Sequence, residues 1–456
     1  MNNFIGTTYF LHLMALLRQY EEYKLKNTAS KDVEAVVLKI NIIRNTLLSL
    51  QNYDKRQKFI SDILCKLYND EIKFDMNPYL FAFNNKIFDL KQACFILPNP
   101  LDYVSLTTGY NFIEQNEEAN IKEIHTLLDS IFPQPEIKKL YLTILSTGLD
   151  GIPLENFVIA NGGGGNGKGL LNEFVEYMLG DYAYVLPSHI LLNKIQSGSN
   201  PEMANMHKKR FVIAKEPDSE LKFNTSTLKD ITGGGNINAR LNYSNNTKTI
   251  LNLTLILECN DKPKLKESND ADALIRRILD IPFKNKFVDK SIYDELTEDE
   301  KKAVYLKNDY FKTTEFKDKF RQALFFVMVD HYKNYLINGR HLPIPEEILK
   351  RNRAYLASSD ELYNWLEDKY EHTDNKKDII KIKSLFEDYK TSQYFENLTK
   401  EQKRKNNYKS FVEKLESNFF IKKYVKENKD KIKILTNYEV KVEDEDDDNE
   451  DNFIDI

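Results

Sequence analysis

Apolar residues recur at helical spacing through about the first 75 residues. From Leu11 to Tyr20 they fall on every third position, and the run VEAVVLKINIIRNTLLSL continues with a helical period. The next segment, YLFAFNNKIFDLKQACFIL, instead predicts paired strands around an Asn84–Asn85 turn. We therefore expect residues 1–118 to form a mostly helical N-terminal domain with a small strand pair, followed by a helical collar over residues 119–154.

From residue 155 to residue 290 the pattern changes to short apolar runs that alternate with helical ones. The runs with strand character are residues 156–160, 211–214 and 253–257. Short buried strands that alternate with helices are typical of an α/β sheet. We expect this segment to form the core of the protein.

The last third of the chain is helical and strongly charged. Residues 291–357 predict a helical extension, and residues 358–440 predict lysine-rich helices followed by a hairpin, the layout of a winged-helix-like module. Residues 443–455 contain nine carboxylates and no cation, so we expect an acidic disordered tail over 441–456, with a protein-binding segment or a nucleic-acid mimic as alternatives. Without that run the net charge changes from −5 to +4, which permits a polyanionic partner.

The composition excludes several classes of protein. The chain is 41% hydrophobic and 30% charged, which gives enough apolar mass for a core and too much for a disordered chain. Its three cysteines are far apart with no C-x-x-C pair, which excludes a disulfide framework and fits a reducing compartment. Because no apolar run reaches the roughly 18 residues of a membrane span and the start lacks a cleavable signal, we expect a soluble intracellular protein without a membrane partner.

The clearest motif is a glycine-rich turn between a strand and a helix, in NFVIANGGGGNGKGLLNEFVEYMLG. Glycines let backbone N–H groups converge on an anion, the helix N-terminus adds partial positive charge, and a lysine reaches the terminal phosphates. The candidate nucleotide-binding residues are Gly162, Gly163, Gly164, Gly165, Asn166, Gly167, Lys168, Gly169 and Leu170. The pattern G-x-x-x-x-G-K-[ST] has a hydroxyl after the lysine to help hold Mg²⁺, and here that position is Gly169.

Three further polar features follow within about 115 residues of this loop. Glu216 comes just after an apolar strand, where a carboxylate orients water or holds Mg²⁺ in many ATPases. Asn260 ends another buried strand, and Arg276 and Arg277 are candidates to stabilise transition-state charge. Each residue alone has an ordinary explanation as a strand-end acid, a turn asparagine or a surface ion pair. Their order after the loop favours the catalytic interpretation.

Together these motifs resemble a superfamily III helicase of the AAA+ class. More narrowly, they are similar to the helicase part of the poxvirus-type primase–helicases of large DNA viruses, which are related to phage and plasmid primase–helicases. The resemblance covers nearly the whole chain. It rests on the Asn85, Asp89 and Leu90 turn and on the segments GGGGNGKG, KRFVIAKEP, LKDITGGGNINARLNYSNNTKTILNLTLILECNDKP, DADALIRRILDIPF and IPEEILKRNRAYLASSDELYNWLEDKY.

The resemblance implies an α/β P-loop AAA+ ATPase core with a helical N-terminal domain and a C-terminal winged-helix-like module. It also implies a homo-oligomeric ring, expected to be a hexamer, with ATP and Mg²⁺ bound between subunits and the arginines acting on the neighbour's ATP. The hairpin between residues 240 and 251 would follow single-stranded or forked DNA through the channel, with Lys248 as the main phosphate contact and Arg240 as a second. Asp218 would share the metal with Glu216.

Three departures from the family pattern stand out. Gly169 replaces the hydroxyl residue, Gly235 stands where an acid usually follows TGG, and the acidic strand ends in one glutamate rather than a pair. The chain also shows no primase catalytic or zinc pattern. It is therefore expected to be the helicase half of a longer polypeptide or a separate gene product, with a primase domain or primase protein as partner.

The predicted function is ATP-driven translocation on single-stranded DNA with duplex unwinding in viral genome replication. The expected location is the host cytoplasm or a viral replication site. The alternative is a weakly hydrolysing, nucleotide-dependent DNA-binding ring or scaffold. Gly169 favours the alternative, whereas Glu216, Asn260 and the arginines favour the enzyme.

Overall fold

The chain divides after Lys73 into two units, residues 1–73 and 74–456. Its structure, a computed structural model, describes residues 8–27, 32–69, 71–195, 198–240, 248–266, 274 and 276–441, with the side chains of 198, 199 and 240 excepted. The boundary expected at residue 118 lies inside the second unit.

The first unit consists of helices in its described part. They are α1 (Phe10–Lys26), α2 (Val33–Gln51) and α3 (Tyr53–Leu67). Their apolar stripes meet in a small core that includes Leu13, Ile43, Leu47 and Ile60. The helical character predicted for the start of the chain is confirmed.

The second unit begins with a small antiparallel sheet, β1 (Leu80–Ala82), β2 (Ile87–Asp89) and β3 (Cys94–Ile96). The sequence predicted a strand pair here, and the structure adds a third strand because the run CFI pairs with β2. The ring of Phe81 stacks on Tyr182 and on Phe325, so this sheet packs directly on the α/β core.

The core is a five-stranded parallel sheet with the strand order β11-β4-β10-β7-β5. Its strands are β4 (Phe157–Asn161), β5 (Ala183–Leu186), β7 (Phe211–Lys215), β10 (Thr254–Cys259) and β11 (Ile278–Pro282). Residues 156–160, 211–214 and 253–257, predicted as strands, correspond to β4, β7 and β10 with ends shifted by one or two residues. The α/β core with a parallel sheet is confirmed.

Both faces of this sheet are buried, which explains why its strands are almost continuously apolar. Alternate residues of one strand enter opposite cores, as Val158 and Ile159 do. One core is completed by α4 (Glu118–Ile131), α5 (Pro135–Ser146), α6 (Lys168–Leu179) and α11 (Thr314–Ile337). The other includes residues of α8 (Pro201–Asn205), α9 (Thr225–Thr232) and α12 (Glu346–Ser359).

Three smaller elements surround the core. A sheet of order β6-β8-β9 contains β6 (Gly198–Ser199), β8 (Gly235–Arg240) and β9 (Lys248–Leu251). A parallel pair joins β12 (Lys286–Val288) to β13 (Val304–Leu306), so the predicted helical extension also contains a strand. Two short helices are α7 (His189–Leu192) and α10 (Lys290–Glu295).

The C-terminal part of this unit has its own core around Trp365, Leu385, Phe411 and Leu435. Its helices are α13 (Glu361–Lys369), α14 (Ile382–Lys390), α15 (Gln393–Glu396), α16 (Lys400–Lys405) and α17 (Tyr408–Ser417). Its strands are β14 (Tyr370–His372), β15 (Ile379–Lys381), β16 (Val425–Glu427), β17 (Lys433–Thr436) and β18 (Tyr438–Val440). Helices followed by a β16–β17 hairpin agree with the predicted order, and β14 and β15 were not predicted. The acidic run 443–455 lies outside the described residues.

No helix in the described ranges is both long enough and apolar enough to span a bilayer.

Candidate nucleotide-binding site

The glycine-rich turn connects the end of β4 to the start of α6, at the carboxyl edge of the sheet. A Cβ on Gly162 would lie 2.4 Å from Nδ2 of Asn166 and 2.5 Å from the carbonyl oxygen of Phe283, so only glycine fits there. Gly167 has a φ of +84° and a Cβ on it would lie 2.9 Å from Ile131 Cγ1. The loop is therefore packed tightly at both ends, and the chain enters α6 directly behind it.

Lys168 is the first residue of α6 and is 6% exposed. Its Nζ donates to the carbonyl oxygen of Gly162 at 2.9 Å and to Oδ1 of Asn260 at 2.7 Å. The Oδ1 of Asn166 accepts from the backbone N–H of Lys168 at 3.2 Å. The structure thus joins two residues that were proposed separately, Lys168 and Asn260, through one hydrogen bond.

Glu216 follows β7 at the same edge and adopts a φ of +44°, unusual for a residue other than glycine. Its backbone N–H donates to the carbonyl oxygen of Glu258 at 2.9 Å, which ties the end of β7 to β10. Asp218, the second residue predicted for the metal, is exposed and accepts from the backbone N–H of Glu220. Of the two acids, Glu216 lines the cavity beside Lys168, and Asp218 is not among its lining residues.

Glu258 is a second carboxylate at this site, and it is not among the residues predicted from the sequence. It lies in β10, is 5% exposed, and accepts at Oε1 from the side-chain amide of Asn172 at 2.9 Å. Burial raises the pKa of its carboxyl group, against the opposing effects of Asn172, Lys215 and Lys168. The sequence signal was a charged residue inside the apolar run TLILEC, where an unpaired carboxylate is costly.

Glu258 also faces Gly169, the position at which the usual phosphate-loop pattern has a hydroxyl residue. A Cβ placed on Gly169 would lie 3.5 Å from Oε2 of Glu258, an ordinary van der Waals distance. The glycine therefore leaves space beside the carboxylate. A side chain as small as serine would occupy that space without displacing it.

These residues line a cavity of about 320 Å³. Its polar wall is formed by the loop together with Glu216 and Glu258, and its apolar wall contains Leu127, Phe287 and Phe311. Lys307, Asn308 and Lys312 complete the lining from the segment after β13, for which no functional role was predicted. The cavity therefore combines a cationic, glycine-rich end with an aromatic one.

The paired arginines lie at the other edge of the sheet. The side-chain amide of Asn156, just before β4, donates to the carbonyl oxygens of Arg276 and Arg277 at 3.1 and 3.3 Å. Strand β11 starts at Ile278, opposite the first residue of β4. The five residues of β4, about 16 Å of strand, therefore separate the arginine backbone from the start of the phosphate loop.

The predicted hairpin is present as the antiparallel pair β8–β9. Lys248 is exposed at the start of β9 and pairs with Asn238, while Arg240 ends β8. Residues 241–247 and the side chain of Arg240 lie outside the described residues. The hairpin belongs to a sheet separate from the nucleotide cavity.

Within the described part of the chain, no group of three or more His, Cys, Asp or Glu side chains forms a metal site by itself. A site with two carboxylates fits Mg²⁺ when phosphate oxygens and water supply the remaining ligands. Glu216 and Glu258 line one cavity and so meet that requirement.

Two families match parts of this chain. Residues 13–133 match the family described as "D5 N terminal like", and residues 160–277 match a "Family of unknown function (DUF5906)". The second match begins in β4 and ends at Arg277, so it includes the loop, Glu216, Glu258, Asn260 and the paired arginines.

Several curated viral proteins are similar to this chain. A protein named "Putative helicase L207/L206" from Acanthamoeba polyphaga mimivirus is 31% identical over 69% of this chain and 33% of its own length. "Putative helicase 184R" from Invertebrate iridescent virus 6 is 24% identical over 79% of this chain and 39% of its own length. "Primase D5" from Fowlpox virus is 27% identical over 64% and 38%, respectively. The chain thus spans about a third to two fifths of these relatives.

Among solved structures, the apo C-terminal region of NrS-1 aligns with 84% of this chain and 90% of its own, at 13% identity and a TM-score of 0.40. That likeness is too distant to add to what the sheet of this chain already shows.

Proposed function

The chain belongs to the primase–helicase family that includes the D5 proteins of large DNA viruses, and from that membership we propose that it is an ATP-dependent DNA helicase acting in viral DNA replication. The observation that carries the proposal is the convergence of Lys168, Asn260, Glu216 and Glu258 at one edge of the sheet. An ATPase needs a cation, a polar sensor and carboxylates around one phosphate chain.

In this proposal the core is a P-loop ATPase of the AAA+ class. Its support is the position of the glycine-rich loop between β4 and α6, at the carboxyl ends of the parallel strands, where open α/β sheets bind ligands. The C-terminal part serves as a winged-helix-like module. Its support is the antiparallel β16–β17 hairpin that follows helix α17.

The cavity accommodates ATP in one orientation. Backbone N–H groups of the loop and Nζ of Lys168 bind the phosphates. The lysine Nζ already donates hydrogen bonds to oxygens of Gly162 and Asn260, and a phosphate oxygen takes the place of these acceptors. The aromatic end, with Phe287 and Phe311, receives the apolar face of the base. Lys307 and Lys312 add positive charge to the wall of the cavity.

Mg²⁺ would be held by Glu216 and Glu258 together with phosphate oxygens and water. Bound there, the ion would neutralise charge on the β- and γ-phosphates. Glu216, the more exposed acid, orients the attacking water, and the amide of Asn260 senses the γ-phosphate. In this division Glu258 supplies the oxygen that the residue after the lysine supplies in the usual pattern.

The arginines act on a neighbouring subunit in this proposal. The support for this is the separation between the two edges of the sheet, since Arg276 and Arg277 precede the amino end of β11 and the loop follows the carboxyl end of β4. An arginine that stabilises phosphoryl charge must reach the γ-phosphate. A homo-oligomeric ring, expected to be a hexamer, brings the two edges of adjacent copies together.

DNA passes the β8–β9 hairpin in this proposal, with Lys248 and Arg240 contacting phosphates of single-stranded or forked DNA. A primase domain or primase protein is the proposed partner, because the matched relatives are longer than this chain and one is named a primase.

The second candidate function is a weakly hydrolysing DNA-binding ring. Gly169 favours it, since the ordinary metal-binding hydroxyl is absent.

The deciding experiment measures ATP hydrolysis and strand displacement on forked DNA in the same reactions. A helicase is expected to hydrolyse ATP faster when single-stranded DNA is added, and to separate the fork only when ATP and Mg²⁺ are present. DNA binding with slow hydrolysis that DNA does not stimulate would instead favour the second candidate.

A further inference from the structure

A second cleft, of about 660 Å³, lies between the α/β core and the C-terminal part of the same unit. The core contributes three lysines to its lining, and helices α13 to α17 with their connections contribute the opposite wall. Its lining residues are Lys222, Lys264, Lys266, Glu361, Tyr389, Tyr394, Asn397, Leu398, Gln402, Lys405, Asn406, Ser410 and Lys414. Five lysines thus face one carboxylate, an imbalance that favours an anionic occupant.

Two of these lysines are held on one side of an extended segment. Phe223 donates its N–H to the carbonyl oxygen of Lys264 at 2.9 Å and accepts from the N–H of Lys266 at 3.0 Å. Between the two lysines, Leu265 is 4% exposed and enters the core. Because alternate residues of an extended chain share a face, both ammonium groups are presented away from the core, toward the cleft.

The lysines of the cleft differ in whether they form a salt bridge within the protein. Lys222 pairs with Glu361, and Lys405 pairs with Glu401. Within the described ranges no salt bridge is formed by Lys264, Lys266 or Lys414. Three positive charges therefore remain for a ligand, on both walls of the cleft.

The rest of the lining fits the other parts of a nucleotide chain. The half-buried ring of Tyr394 is fixed by its hydroxyl, which donates to Asp368 at 2.6 Å, and such a ring is a platform for a stacked base. Asn397 and Gln402 carry amides that both donate and accept, as base edges do. A cleft of this volume admits a short length of unpaired strand.

We propose that this cleft is a binding site for single-stranded nucleic acid, separate from the β8–β9 hairpin. It lies next to the nucleotide site along the chain, since Lys264 follows Asn260 by four residues. The strand would contact Lys264 and Lys266 on the core side and Lys414 on the C-terminal side, with one base against Tyr394. The inference goes beyond the proposed helicase activity and does not require ATP hydrolysis.

The test measures the fluorescence anisotropy of a labelled oligothymidylate of about 16 nucleotides, without nucleotide, over a series of salt concentrations. Reversing Lys264, Lys266 and Lys414 to glutamate is expected to weaken binding at least tenfold and to reduce the slope of log Kd against log salt by about 2, since each lost phosphate contact removes about 0.7. The matched control reverses three exposed lysines outside the cleft, Lys290, Lys333 and Lys350, and is expected to change both quantities much less.

A second pair of variants tests the stacking platform. Tyr394→Ala is expected to weaken binding by about tenfold, whereas Tyr394→Phe, which keeps the ring and loses only the bond to Asp368, is expected to bind as the wild type does. Lys248→Ala is measured beside them, so that loss of the hairpin contact is distinguished from loss of the cleft.

Four outcomes would overturn the proposal. The triple reversal could leave the affinity and the salt slope unchanged, or the control reversal could reduce them equally, which would assign the effect to overall charge. Polyglutamate could compete as well as the oligonucleotide, which would assign the cleft to an acidic polypeptide. Finally, ATP could displace the oligonucleotide from the Lys168→Ala protein, which would make the cleft a site for free nucleotide. Helicase activity is measured separately, so its failure would not be mistaken for any of these.

Discussion

At the carboxyl edge of the five-stranded sheet, Lys168 from α6, Glu258 from β10 and Glu216 just after β7 line a single cavity, whereas the amino edge carries two arginines that line no part of it. Lys168, Glu258 and Glu216 reach the first edge because parallel strands all end there. Arg276 and Arg277 precede β11 and meet Asn156 instead. The candidate nucleotide site and the paired arginines thus lie at opposite edges of the sheet, which is the arrangement that the proposed action between subunits requires.

The largest effect is expected from removing the amino-edge cations. The double variant Arg276→Ala/Arg277→Ala should hydrolyse ATP about 10³–10⁵-fold more slowly, as expected when an arginine that stabilises phosphoryl charge is lost. Nucleotide binding, measured by the fluorescence of a labelled ATP analogue, should remain close to that of the wild type. Loss of nucleotide binding as well would show that the arginines support their own cavity.

Mixed rings then distinguish action within a subunit from action between subunits. Lys168→Ala subunits lack a working loop and keep their arginines, and the double arginine variant has the reverse defect. In a mixture some interfaces pair an intact loop with intact arginines, so part of the ATPase activity should return. If mixed oligomers form, as seen by pull-down of differently tagged copies, and no activity returns, the two edges do not cooperate across subunits.

The carboxyl edge itself is tested through Lys168→Ala. This change removes the cation that bonds both Gly162 and Asn260, and hydrolysis is expected to fall by about 10²–10³-fold, the cost of one preorganised phosphoryl contact. Lys312→Ala is the matched control, because Lys312 lines the same cavity from an exposed position. It should cost at most about fivefold. Equal effects of the two changes would remove the special role of Lys168.

The two edges were not equally predictable from sequence. The loop, Glu216, Asn260 and the arginines were found because each sits at the end of a recognisable apolar strand or helix. Glu258 was missed because it lies inside such a strand, and only the parallel register of β10 with β4 and β7 brings it beside the loop. Lys307 and Lys312 were missed because their approach to the cavity depends on the β12–β13 pair, which three-residue runs do not reveal.

The order of the strands in the sheet also could not be predicted from the sequence. The apolar runs predicted β4, β7 and β10, but their spatial order depends on which strand inserts between which others, and no local pattern records that. The separation of the arginines from the loop follows instead from the parallel direction of the neighbouring strands β4 and β11, since the arginines precede β11 and the loop follows β4. The sequence therefore predicted most of the candidate groups at both edges, and the sheet shows which of them lie close together.

The two carboxylates at the nucleotide edge should differ from each other. Glu216→Gln is expected to keep nucleotide affinity and to slow hydrolysis, since the residue is proposed to orient water. Glu258→Gln keeps an oxygen for the amide of Asn172 and is expected to raise the Mg²⁺ concentration for half-maximal activity about 10–100-fold. Electron paramagnetic resonance of Mn²⁺ with a non-hydrolysable ATP analogue measures the same loss without turnover. An unchanged metal affinity would leave Glu258 with a structural role only.

The smallest effect is expected at Gly169, where the chain lacks the usual hydroxyl. Gly169→Ser should lower the half-maximal Mg²⁺ concentration by about threefold, because a seryl Cβ fits 3.5 Å from Oε2 of Glu258 and its hydroxyl becomes an additional oxygen ligand. If Glu258 replaces that hydroxyl, the serine should help more in the Glu258→Gln background than in the wild type, a coupling that a double-mutant cycle measures directly. Gly163→Ser is the control, since a Cβ there meets open space in the same loop. Effects of Gly169→Ser and Glu258→Gln that simply add would mean that the two positions serve the metal independently.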